Sequence, residues 1–98
     1  MKRVRWTLGA RLQLLQIFDF VAQDRPQTAK RLVRKLQEAT NGLAENPTRG
    51  RTVPEFGDPS IRERLVKPYR ILYTFRDDVF ILAVYHAKRL LPDDPESL

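Results

Sequence analysis

The spacing of apolar positions changes character partway along the chain. Across residues 10–23, Leu12, Leu15, Phe18 and Ala22 recur at steps of three and four beside Leu14, Ile17 and Val21, which describes a wide apolar face on a helix. That spacing predicts a first helix buried along most of one side. Asp24-Arg25-Pro26-Gln27 then has the form of a new helix start, with Asp24 as cap, Pro26 in the first turn and Gln27 at the capping-box position. Ala29, Leu32, Val33, Leu36, Ala39, Leu43 and Ala44 form the stripe of a second helix, and Lys30, Arg31, Arg34 and Lys35 take its other face until Asn46-Pro47 stops it. So short a connection predicts an antiparallel helix hairpin.

After residue 60 the period becomes two. Residues 61–66, 69–75 and 79–86 read as strands joined by the tight connections Lys67-Pro68 and Arg76-Asp77-Asp78, so neighbours should run antiparallel. Val4 and Trp6 alternate with cations and predict a short edge strand ahead of the first helix. Residues 47–60 hold three prolines and two glycines and predict a loop shaped by its fixed dihedrals. The last strand, VFILAVY, is apolar at every position, which fits an interior strand covered on one side by the hairpin and on the other by a partner or a shallow groove. The resulting order, β-α-α-β-β-β, is an α+β domain with helices packed on an antiparallel sheet.

Composition narrows the setting. A chain of 98 residues, 42% apolar, suffices for one compact domain and not for two. The domain is expected over residues 1–92, followed by an acidic tail containing Pro95, residues 93–98, that should fray. Without cysteine there are no disulfides and no thiolate chemistry, and with a single histidine no metal site is expected. No apolar run approaches the roughly 20 residues that span a bilayer, and no signal-peptide block follows the start, so the expected location is the cytoplasm. The net charge is +6, and because the tail carries three acids and no base, the rest of the chain is more basic still. Such a field favours a polyanionic partner, nucleic acid or an acidic protein segment.

Four stretches are more specific than this outline: Trp6 before the first helix, LAENPTRGR at residues 43–51, YRILY at 69–73 and HAKR at 86–89. On these residues the chain, over about residues 3–92, resembles the RelE/ParE superfamily of bacterial toxins from type II toxin-antitoxin modules. The resemblance implies a cognate antitoxin that folds onto the toxin, and no cofactor. Within the superfamily, ParE-like members poison DNA gyrase, whereas RelE-like and YoeB-like members cut messenger RNA on the ribosome. Fold alone does not choose between them.

A metal-free ribonuclease needs a base for the 2′-hydroxyl, cations for the scissile phosphate and an acid for the leaving oxygen. By resemblance Arg70 and Arg89 match the phosphate-holding arginines, and Glu55 and His86 are the candidates for a YoeB-like acid-base pair. The lysines that RelE-like enzymes place upstream of the strand arginine correspond instead to about Ile61 and Glu63, and their closing tyrosine is missing. These departures point to the ParE-like branch, a gyrase-binding toxin with no catalytic residues. The surface expected to meet the target is then Arg62, Arg64, Lys67, Arg70, Lys88 and Arg89. The competing assignment for Arg70 is a partly buried arginine paired with Glu55, Glu63 or Asp77.

Overall fold

The three strands predicted from the period-two pattern form at Ile61–Val66 (β3), Tyr69–Phe75 (β4) and Val79–His86 (β5) in the computed structural model, which describes residues 2–98. Each pairs antiparallel with the next. Two further strands complete a five-stranded sheet of order β1-β5-β4-β3-β2. Val4–Trp6 (β1) lies parallel to β5, with Val4 opposite Val79 and Trp6 opposite Ile81. Arg51–Thr52 (β2) pairs antiparallel with β3 inside what the composition predicts as plain loop. Two residues are too few to show a period, so β2 leaves no trace in the sequence pattern.

The helices are Leu8–Ala22 (α1) and Pro26–Glu38 (α2). α1 begins where the Thr7 hydroxyl accepts from the Ala10 amide at 3.2 Å, a side-chain N-cap. The expected Asp24 cap does not form. Arg25 occupies the cap position of α2 without a side-chain bond, because the amides of Asp24 and Arg25 both turn back to the Val21 carbonyl to finish α1. α2 also ends earlier than its stripe predicts. The Thr40 hydroxyl donates to the Gln37 carbonyl at 2.7 Å and Gly42 takes φ +84°, a backbone that only glycine adopts without strain. Leu43 stays fully buried, but from a turn and not from the helix.

The helices cover one face of the sheet. Ala10, Leu36 and Leu43 pack there on Ile71, Tyr73, Val79, Ile81 and Val84, with Leu14, Ile17 and Leu32 at the margin. A β-bulge decides which residues of β5 point there. Leu72 pairs with Ala83 and Tyr73 with Ile81, so Leu82 is the extra residue and side-chain parity reverses across it. Val79 and Ile81 face the helices before the bulge and Val84 after it, while Ala83 and Tyr85 face the other way.

The second face is not left for a partner or an open groove, as the apolar β5 sequence suggested. Val53 and Phe56 of the 47–60 segment, with Leu91 at the end of the domain and Leu98 of the tail, pack on Ile61, Leu72, Ala83 and Tyr85. The tail therefore does not fray among the described residues. It closes with a 3-10 turn at Pro95–Ser97 in which the Asp94 carboxylate accepts from the Glu96 amide at 2.9 Å. α1 departs from expectation in the opposite sense, since Leu12 and Leu15 are about half exposed. Only one sector of a helix can reach the sheet, and Ala10, Leu14 and Ile17 occupy it.

Candidate functional site

Arg70 lies at the centre of an ionic cluster on the face of the sheet away from the helices. It sits on β4 two residues before Leu72, beside Tyr85 of β5 and Leu65 of β3. Its Nε donates to Glu63 Oε1 at 2.6 Å, and its two terminal nitrogens donate to Glu55 Oε2 and Oε1 at 2.5 and 2.7 Å. Glu63 Oε2 accepts in turn from Arg51 Nε at 2.7 Å. The Glu63 side chain is wholly buried and that of Arg70 is 9% exposed, whereas Glu55 and Arg51 reach solvent.

Local folding explains how these four groups meet. Glu63 is opposite Leu72 across β3 and β4, and Arg51 is opposite Glu63 across β2 and β3. The turn before β2 is pinned by Tyr73, whose hydroxyl donates to the Pro47 carbonyl at 2.6 Å and accepts from the Gly50 amide at 2.9 Å. Burial raises the Tyr73 pKa, so the phenol keeps its proton and both bonds. Arg51 is a residue that sequence reasoning missed, since the only signal for its place is a two-residue strand pairing.

The cluster holds its charges firmly. The bidentate bond from Arg70 lowers the Glu55 pKa from 4.5 to about 2, and the two carboxylates raise that of Arg70 further above its ordinary value. Arg70 is thus neutralised within the fold, the arrangement weighed in the sequence as its structural assignment.

The other nuclease candidates lie elsewhere. His86 is opposite Tyr69, one position on from the Arg70–Tyr85 pair, and so points to the helix side of the sheet. There it meets Tyr69 edge-on at 5.6 Å and lines a cleft of about 260 Å³ with Ile17 and Phe20 of α1 and Arg89. Its Nδ1 accepts from the Lys88 amide at 3.1 Å. The Arg89 guanidinium lies 4.9 Å from the centre of the Tyr85 ring, a cation–π contact. Glu55 and Arg70 therefore share one face and His86 occupies the other.

The residues of the expected target surface also divide. Arg62 is spent on the carbonyls of Pro59 and Gly50, and Arg64 is half-buried with an Nε that has no hydrogen-bond partner. Lys67, Lys88 and Arg89 are exposed. The Ala87 amide donates to the Pro68 carbonyl at 2.7 Å, which brings the 67–68 and 87–89 turns to the same end of the sheet. Among the described residues the structure holds no group of three or more potential metal-ligating side chains, and no helix is long and apolar enough to cross a membrane.

Residues 4–91 match the family model described as ParE toxin of type II toxin-antitoxin system, parDE. The chain belongs to the ParE toxin family. The toxin is 39% identical over 93 residues to Y4kP of Sinorhizobium fredii, covering 93% of this chain and 94% of that one. It is 38% identical over 92 residues to toxin RelE2 of Caulobacter vibrioides, covering 92% and 100%. Its fold superposes with a TM-score of 0.74 on a chain of the chromosomal ParDE system of P. aeruginosa, at 21% identity over 88% of this chain and 96% of that one. For the RelBE2 toxin-antitoxin complex of Mycobacterium tuberculosis the TM-score is 0.61, at 25% identity over 87% and 90%. The toxin has the expected β-α-α-β-β-β order, with β2 added and the last strand interior to the sheet between β1 and β4.

The depressed Glu55 pKa carries a pH dependence with a definite sign. Because the folded value lies below the unfolded one, the Glu55 bond contributes stability above about pH 4.5, and this is lost as the pH falls towards 2. Glu55 is 42% exposed, so solvent screening holds the effect to about 1 kcal/mol or less. In urea titrations the toxin should be more stable than Glu55→Gln at pH 7, and the difference should vanish near pH 2. A constant difference across that range would show that Glu55 acts through packing and not through charge.

Proposed function

We propose that this toxin arrests DNA gyrase, as ParE-like proteins do, and that a cognate antitoxin neutralises it. The observation that carries the proposal is the occupation of Arg70. Its guanidinium is satisfied by Glu55 and Glu63, and the only histidine lies on the opposite face of the sheet. Metal-free RNA cleavage asks for a phosphate-holding cation and an acid-base pair around one phosphate, and here those side chains are separated or already paired. Glu63, standing about where RelE-like enzymes carry a lysine, uses its charge on Arg70 and Arg51. A toxin that acts by holding its target needs surface, not a triad.

The antitoxin reading is supported by α1. Leu8, Leu12 and Leu15 fall on one side of the helix at steps of four and three and are 73%, 50% and 54% exposed, with Phe20 further along at 75%. An exposed apolar stripe of this kind marks a surface meant to be covered. A disordered antitoxin segment that folds on binding, with apolar anchors and acidic flanks, suits both the stripe and the basic body, and remains open to proteolysis when free.

The test is gyrase supercoiling of relaxed plasmid with and without refolded toxin, followed by detergent. Supercoiling should fail and linear plasmid should accumulate. Unimpaired gyrase, together with cleaved messenger in a translation extract, would move the function to RNA cleavage on the ribosome.

A further inference from the structure

Between one side of α2 and the end of β3 lies a cleft of about 210 Å³ lined by Thr28, Arg31, Leu32, Lys35, Val66 and Lys67. Three cations converge there and no carboxylate does. Leu32 and Val66, partly buried against the core, form its floor, while Arg31, Lys35 and Lys67 are exposed around the rim. The ion pairs among the described residues use Arg5, Arg51 and Arg70, so these three cations have no carboxylate partner. Arg31 donates to the Thr28 hydroxyl at 3.2 Å, which steadies its guanidinium and leaves other donors of the fork free. Like charges brought together repel one another, and an anion seated among them turns that repulsion into binding.

From this arrangement we infer that the α2–β3 cleft binds the phosphodiester backbone of a nucleic acid. The volume is below the range of roughly 300–1,000 Å³ in which small-molecule ligands are enclosed, whereas a single phosphate on a passing strand needs only such an open, cation-rimmed notch. The basic run continues around the same end of the sheet through Lys88 and Arg89, beside the 67–68 turn, so a strand leaving the cleft meets further positive charge. The inference deepens the gyrase proposal and takes from it only the choice of DNA as the source, since the toxin would touch the DNA held in the stalled enzyme as well as the enzyme. The aromatic residues play no part. Tyr73 is buried in the core, and Tyr69 is partly buried against it with its ring edge-on to His86; neither lines the cleft, so bases have no stacking platform there and no sequence preference is expected.

The experiment is fluorescence anisotropy of the refolded full-length toxin with a labelled DNA duplex and an RNA of the same sequence, titrated across salt concentrations. Arg31→Glu/Lys35→Glu should weaken binding to DNA by more than about tenfold and reduce the salt slope by about two. Lys30→Glu/Arg34→Glu makes the same change in net charge on the same helix but outside the cleft, and should cost about threefold or less. All four positions are exposed, so folding should survive, as circular dichroism would verify. Lys67→Gln supplies a second variant from β3 and should weaken binding in the same direction. Equal losses in the two double variants would overturn the inference, because net charge alone would then suffice; so would an absence of DNA and RNA binding. Stronger binding to RNA would leave the cleft standing and count against gyrase. A toxin that holds DNA through the cleft yet leaves gyrase untouched would sink the gyrase proposal and not this one.

Discussion

Arg70→Leu should cost the toxin about 3–5 kcal/mol, the penalty for removing one partner of a buried ion pair. The loss follows from Glu63, whose wholly buried carboxylate keeps only Arg51 when Arg70 is gone. For a domain of this size that corresponds to a fall in melting temperature of roughly 15 °C or more. Arg70→Leu/Glu63→Leu should recover most of it, since an apolar pair of similar volume avoids the desolvation that the charges incur. Thermal unfolding followed by circular dichroism decides the matter. A single variant within about 1 kcal/mol of the parent would mean that water reaches Glu63 and screens it. Loss of toxicity in any Arg70 variant reports a damaged fold unless stability is measured alongside, whereas Arg31, Lys35, Lys88 and Arg89 are exposed positions at which activity and folding can be separated.

Gly50→Ala should cost about 3 kcal/mol, at the upper end of what overpacking does to a tight core. Gly50 has an ordinary extended backbone, φ −75° and ψ 160°, so conformation is not the obstacle. The obstacle is space. A Cβ would come within 2.5 Å of the Glu63 carbonyl oxygen and 2.6 Å of the Tyr73 hydroxyl, and neither can withdraw, one being strand backbone and the other held by Pro47 and the Gly50 amide. Relief of the clash would push β2 away from β3 and take Arg51 from Glu63, so both substitutions act on one ionic cluster. Gly57→Ala provides the contrast: a Cβ there meets nothing within 4 Å, and its φ of +62° leaves only a backbone penalty of about 1 kcal/mol. Equal melting temperatures for the parent and Gly50→Ala would show that the turn before β2 yields easily.

Much of the frame was legible because it rests on local periodicity. β3, β4 and β5 fall where alternation ends at Lys67-Pro68 and Arg76-Asp77-Asp78, and the hairpin of helices follows from a short link between two stripes. The misses share a cause. The end of α2 was set by the Thr40 hydroxyl and Gly42, and the start of α1 by Thr7, single hydrogen bonds that weigh little in a hydropathy pattern. α1 is apolar around much of its circumference, so its sequence did not tell which side meets the sheet and which exposes Leu8, Leu12 and Leu15.

The site was less legible than the fold. Arg70 and its possible carboxylate partners were visible as residues, as were the cations of α2, which the pattern placed together on a polar face. Their separation into a neutralised interior cluster and an unpaired rim was not. Sequence by itself determined the two helices, the strands other than β2, the superfamily resemblance and a basic body seeking an anion, because each depends on neighbours in the chain or on a sum over it. Only the tertiary structure decided that His86 and Arg70 lie on opposite faces, that Glu55 and Glu63 neutralise Arg70, and that Lys67 stands across a cleft from Arg31 and Lys35. Those facts depend on the bulge at Leu82, the pairing of β2 and the docking of α2, contacts between distant residues whose geometry is fixed only when the core closes.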